Sequence, residues 1–192
     1  MKISNRNPEP FLYDNPIGLN QACQAIQIKL RDNISWIQKS FGRAYKIHRE
    51  SPDKKSMERP HAYARNGEYY ELMPNDSLKA FSFMAPISKG EYIDYAENSP
   101  SQLINRNIAL IVWGNLKKID PSKDEVFTDE LIQDITKILK KIPYVNNILN
   151  IEDEDITAIF KPFSTDKFHQ ALFYPYFSLR FEIELTYYLE EC

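Results

Sequence analysis

Phe177-Ser178-Leu179-Arg180-Phe181-Glu182-Ile183-Glu184-Leu185-Thr186-Tyr187-Tyr188-Leu189 decides the fold of this chain. Every second residue is apolar, and the residues between carry the charges and hydroxyls. A period of two places one set on each face of a strand, whereas a helix would scatter the apolar groups around its cylinder. At roughly 3.3 Å per residue this run spans about 43 Å, more than twice a common strand. A strand that long either crosses a large sheet or extends past its own domain. It is therefore the spine of the fold and a candidate surface between subunits.

Working outward, Asn107–Trp113 is apolar on both alternating sets, Ile108, Leu110 and Val112 against Ala109, Ile111 and Trp113. A strand apolar on both faces belongs in the centre of a sheet. Further strands are expected at Gly42–His48, Glu68–Met73, Leu78–Met84, Val145–Ile151 and Ile156–Phe160. Two helices flank them. The first is expected from an Asn15 cap with Pro16 in its opening turn to about Ile37, with Leu19, Ala22, Cys23, Ile26, Leu30, Ile34 and Ile37 as its stripe. The second starts at Thr128, carries Asp129 and Glu130 early and Lys137, Lys140 and Lys141 late, and stops at Pro143. Helix, strands, helix, strands is an α+β pattern, with two helices packed on a largely antiparallel sheet that ends in the long C-terminal strand. Residues 1–14, holding Pro8 and Pro10, read as an extended arm, and residues 15–192 as one domain. Residues 49–66 and 86–104 read as irregular loops.

The 192 residues suffice for one domain that buries roughly 70% of its unfolded-chain surface. Five glycines leave little material for a phosphate-cradling loop. No apolar segment follows Met1-Lys2-Ile3-Ser4, and no apolar run approaches membrane-spanning length, so neither a secretory signal nor a membrane partner is expected. Two cysteines, Cys23 and Cys192, point to a reducing, cytoplasmic setting. Charge is unevenly placed. Residues 1–66 carry twelve Lys and Arg against six Asp and Glu, a surplus of six; residues 67–192 carry twelve against twenty-one, a deficit of nine. A basic edge of one copy is thereby suited to an acidic edge of the next, provided the two halves do not interleave in space.

Chemistry is harder to find. His48, His61 and His169 have no His or Cys at ligand spacing, and no serine sits in a nucleophile elbow. Cys23 lies on the apolar stripe and packs as a small hydrophobe. Glu152-Asp153-Glu154-Asp155 lacks the alternation and glycine of a calcium loop and reads as a solvated turn. Glu182 and Glu184, with Arg180, fit either the acidic strand of a metal-dependent nuclease or a charged outer face that resists edge aggregation. Neither a metal nor another cofactor is expected. Basic residues of the 54–65 stretch suit passing contact with a DNA backbone rather than sequence readout.

The helix leading into Trp36-Ile37-Gln38-Lys39-Ser40-Phe41-Gly42-Arg43-Ala44, and the closing Tyr174-Pro175-Tyr176-Phe177-Ser178-Leu179-Arg180-Phe181 with Glu182-Ile183-Glu184-Leu185, resemble the two ends of bacteriophage tail-terminator (tail-completion) and neck proteins. The resemblance covers residues 15–50 and 105–190; residues 51–104 depart from it as an enlarged loop or hairpin. It implies a non-enzymatic virion protein, assembled in the cytoplasm of a bacterial host. The protein would form a homo-oligomeric ring of six copies, or twelve, at the head–tail junction or tail end. Other tail, neck or portal proteins would be its partners, with DNA crossing the lumen unread. Candidate interface residues are Lys54, Lys55, Arg59, Arg65, Tyr174, Tyr176, Arg180, Glu182, Glu184 and Tyr188. The rival readings are the nuclease, or another nucleic-acid-processing enzyme, and an adaptor subunit of a contractile injection assembly.

Overall fold

The alternation at the C-terminus becomes one uninterrupted strand that carries the sheet. A computed structural model describes residues 2–4, 8–50, 56–74, 76–93, 101–165 and 172–190. In chain order the elements are β1 (Lys2–Ser4), α1 (Gly18–Asn33), β2 (Lys39–Glu50), β3 (Ser56–Arg65), β4 (Glu68–Glu71), β5 (Ala80–Pro86), β6 (Glu91–Ile93), β7 (Ser101–Asn115), α2 (Leu116–Ile119), α3 (Thr128–Leu139), β8 (Val145–Glu152), α4 (Ile156–Phe160) and β9 (Tyr176–Glu190). Among the described residues nine strands form one sheet in the order β1-β4-β3-β2-β5-β7-β9-β8, with β6 paired to β7. Only β1·β4 and β2·β5 are parallel among those pairs. The class is α+β, two long helices and two single-turn ones on a mostly antiparallel sheet.

β9 pairs with β7 without a break, from Ser101↔Glu190 to Asn115↔Tyr176. The long strand thus crosses its own sheet, and its length is matched inside the chain. Its odd-numbered residues Phe177, Leu179, Phe181, Ile183, Leu185 and Tyr187 are buried under α1 and α3. At about 1.5–3 kcal/mol for each buried large side chain, a one-residue slip would forfeit most of the core. The even-numbered residues of β7, Ile104, Ile108, Leu110 and Val112, join the same layer. Ala109, Ile111 and Trp113 point the other way, into a second core with Phe81, Phe83, Ile159 and Phe160. Two apolar faces on β7 therefore mean two cores, as expected of a central strand. Gly114 lets these layers close: a Cβ there would lie 2.6 Å from the Phe177 ring and 2.8 Å from Ala80 Cβ.

Several expectations need correction. α1 begins at Gly18 and ends at Asn33, with no side-chain cap from Asn15; Ile17 occupies the cap and Gly18 has φ +54°. That glycine sets the first turn against β9, where a Cβ would be 3.1 Å from Leu189. Within the expected loop 49–66, residues 51–55 lie outside the described residues, and Ser56–Arg65 is a strand that pairs with β2 from Ala44↔Ala62 to Glu50↔Ser56. Its charges concealed the strand: Arg59 and His61 are buried rather than solvated, and Pro60 lies just past the end of the β4 ladder. Likewise residues 86–104 contain β6 and the start of β7. Ile156–Phe160 is a helix, opened by Asp155, whose carboxylate accepts from Thr157 N–H at 2.8 Å.

β8 shows how the sheet ends. Its apolar residues recur every third position, Val145, Ile148 and Ile151, which fits neither ordinary period. Two irregularities in its pairing with β9, at Val145/Asn147 and Ile148/Asn150, bring Val145 and Ile148 against the core under the helices, while Ile151 stays exposed. Bulges of this kind twist an edge strand away from regular pairing with another chain.

Candidate assembly surface

The order of strands separates most of the strands of the two charge classes. β1, β3 and β2 come from the first 65 residues and lie at one end of the sheet; β7, β9 and β8 come from beyond residue 100 and lie at the other. The separation is incomplete: β4, from the acidic half, lies between β1 and β3, and α1, from the basic half, packs on β9 and α3.

At the basic end, Arg43, Lys46 and Arg65 stand on β2 and β3. Arg43 lies over the Tyr45 ring at 5.1 Å, and Arg65 over the Phe11 ring at 5.3 Å. Those rings belong to a cluster that also includes Tyr13, Tyr63 and Tyr69. Phe11 meets Tyr63 edge-on at 5.1 Å, Tyr63 meets Tyr69 at 5.5 Å, and Tyr45 meets Tyr69 at 6.0 Å. Burial, and the neighbouring Tyr45 hydroxyl, push the Tyr13 phenol well above its usual range. The Tyr13 phenol thus stays neutral at ordinary pH.

At the acidic end, Glu152 accepts from the backbone N–H groups of Asp155 and Glu154, both at 3.0 Å. These bonds hold its carboxyl below the usual range, so Glu152 keeps its charge. Leu149, 47% exposed on β8, and the neighbouring Ile151 add apolar surface. Elsewhere Val126, Phe173 and Tyr174 are exposed on the loops around α2 and the start of β9.

The ten candidate residues do not make one patch. Lys54 and Lys55 lie outside the described residues. Arg65 is exposed, but Arg59 is buried on the same strand, its guanidinium against the sulfurs of Met57 and Met73 and 3.9 Å from Glu71. Tyr176 is half-buried and stacks on Trp113 at 5.6 Å. Tyr174 is exposed and reaches the Asp124 carbonyl at 3.5 Å. Tyr188 is exposed near the far end of β9.

Arg180, Glu182 and Glu184 were expected on a solvated face, and the structure corrects this. Arg180 is 3% exposed because α4 and the turn after it cover that side of β9. Its Nη1 donates to the carbonyls of Ile159, at 3.2 Å, and Lys161. Its Nε and Nη2 both meet Glu182 Oε1 at 2.9 Å. Glu184 accepts from Asn105 Nδ2 at 2.9 Å. Both glutamates are thus engaged in neighbouring contacts. Among the described residues no group of three or more His, Cys, Asp or Glu side chains converges as a metal ion requires. His61 is fully buried, with Nδ1 3.0 Å from the Arg59 carbonyl, and His169 and Cys192 lie outside the described residues. Cys23 is buried, which pushes its thiol up to about 12.

Sequence reading missed the aromatic cluster at the basic end. The signal was present in Tyr63, Arg65 and Tyr69, but it becomes a face only once residues 56–65 are read as a strand. No helix among the described residues is long and apolar enough to cross a membrane. In comparison with known proteins, the chain matches no family model and no curated protein.

Proposed function

We propose that this chain is a non-enzymatic structural protein that assembles head to tail into a closed ring, as a tail-terminator or connector subunit of a bacteriophage virion. The observation that carries the reading is the bias of the sheet: β1, β3 and β2 from the basic first third at one end, with β4 from the acidic remainder among them, and β7, β9 and β8 from that remainder at the other. A contact in which one end of a copy meets the opposite end of the next is heterologous. Repeated with a fixed rotation, it closes into a ring. Opposite charge steers such an encounter and rejects pairing of like ends, while exposed aromatic and aliphatic groups supply the contact area.

The bulged β8 edge supports an interface made by side chains rather than by a shared backbone ladder. The aromatic-lined basic end suits contact with the phosphate backbone of DNA without base readout. Ring copies would number six or twelve, with tail, neck or portal proteins above and below, in a virion assembled in the bacterial cytoplasm. Negative-stain imaging of the purified protein tests this. Annular particles of uniform diameter are expected, and particles of single-chain size at every concentration would refute it.

A further inference from the structure

The arm is bound in the way a protein binds a foreign peptide. Between Pro8 and Tyr13 it is held mainly through its own main chain, by side chains of the folded body. Gln24 on α1 clamps Tyr13 twice: its Oε1 accepts from Tyr13 N–H at 2.7 Å, and its Nε2 donates to the Tyr13 carbonyl at 3.0 Å. One turn on, Gln27 Nε2 donates to the Phe11 carbonyl at 3.2 Å. Lys39 Nζ on β2 donates to the Pro8 carbonyl at 2.8 Å. Gln27 and Lys39 are themselves buried, at 2% and 8% exposure, so these donors are built into the groove. Gly42 makes room for one of them, since a Cβ there would sit 2.8 Å from Gln27 Oε1.

The side chains of the arm complete the fit. Phe11 and Tyr13 lodge against Tyr63, at 5.1 Å edge-on and 6.3 Å stacked. Earlier in the arm, Lys2–Ser4 adds a parallel strand to the β4 edge, in register Lys2↔Glu68 to Ser4↔Tyr70. Strand addition at an edge followed by a strap with aromatic anchors is a recurring mode of peptide capture. Neither Phe11 nor Tyr13 belongs to either hydrophobic core, and both cores close without them. The arm is therefore a separable element, joined to α1 only by Asp14-Asn15-Pro16-Ile17.

We propose that in the assembly this arm, through Lys2–Ser4 and Pro8–Tyr13, is exchanged, each copy seating it in the groove of the next copy. The inference rests on the head-to-tail reading above and names how neighbours are fastened. An identical arm from a neighbour makes the same hydrogen bonds and ring contacts, so exchange sacrifices no contact and changes only the connector. Four residues span at most about 14 Å when extended, so only an adjacent copy's groove is within reach. Every copy both gives and receives an arm, which is a heterologous contact and propagates around a ring.

The test uses the full-length chain carrying Tyr13→p-benzoylphenylalanine. A second variant, Leu12→p-benzoylphenylalanine, serves in case the first disturbs the Gln24 clamp. Each is irradiated at low salt, and the products are separated by denaturing electrophoresis after its mass in solution is measured by light scattering. Expected are covalent bands at multiples of the chain mass, lost when Gln24→Ala loosens the arm. Multimeric particles whose crosslinks all stay within one chain would overturn the exchange and leave the ring reading standing. Protein that scatters as single chains would overturn both.

Discussion

Removing the carboxylate of Glu182 should cost about 2 kcal/mol, and almost nothing once Arg180 is made apolar. Arg180 is 3% exposed and its guanidinium is fixed by two carbonyls, Ile159 and Lys161, and by Glu182 Oε1 at 2.9 Å. In Glu182→Ala the cation stays in place with no counter-charge. Breaking a fully buried pair in this way costs about 3–5 kcal/mol. Water reaches roughly a third of the Glu182 side chain, and that access to solvent lowers the cost to about 2 kcal/mol. In Arg180→Met the cation is gone. The half-exposed carboxylate is then solvated, and the main loss is the donor to two carbonyls, about 1 kcal/mol. The double variant should be no less stable than Arg180→Met alone, which gives a coupling of about 2 kcal/mol. Urea denaturation followed by circular dichroism measures all four corners of the cycle. Thermal melting should show Glu182→Ala lowered by about 4–8 °C, given about 2–4 °C per kcal/mol for a domain of this size. A coupling under about 0.5 kcal/mol would refute the reasoning, because it would mean Arg180 is solvated and α4 does not cover it.

Other outcomes follow from the same packing. Leu185→Asp places a carboxylate on the face buried by α1 and α3 and should abolish the cooperative melt, whereas Glu184→Lys loses only the Asn105 bond, about 1 kcal/mol, by circular dichroism. Gly114→Ala drives a methyl into Phe177 and Ala80 and should cost about 1–3 kcal/mol in the same assay. Burial raises the Cys23 thiol from 9.0 to about 12, so between those values the unfolded chain binds fewer protons than the folded one. Stability from this group is complete below pH 9 and declines as the pH rises towards 12. Melting curves of wild type and Cys23→Ala should therefore converge over that interval, all other groups being shared.

The parts of the fold legible in sequence are those where one residue type repeats at the period of one element. β9 announced its two faces by strict alternation, β7 its central place by being apolar on both, and α3 its ends by charge. What stayed hidden depends on partners distant in sequence. Arg59 and His61 made residues 49–66 look solvated, but Glu71, Met57 and Met73 surround the buried Arg59, and His61 meets the Arg59 carbonyl. Arg180 read as an outward charge because the covering helix α4, five residues opened by Asp155, is too short to show a period. Nothing in the spacing along α1 marks Gln24 and Gln27, and only the folded arm reveals them as clamps. The uneven charge was countable from the residues alone. Its partial separation among the strands was not, since that follows from the strand order.

The central claim is that opposite ends of one polar sheet join copy to copy, and the solution mass measured by light scattering across a salt series tests it most directly. At low ionic strength the account predicts a single multimeric mass corresponding to six or twelve chains, falling towards that of one chain as salt screens the two ends. A mass of one chain throughout the series, or a multimer that salt leaves untouched, would contradict it.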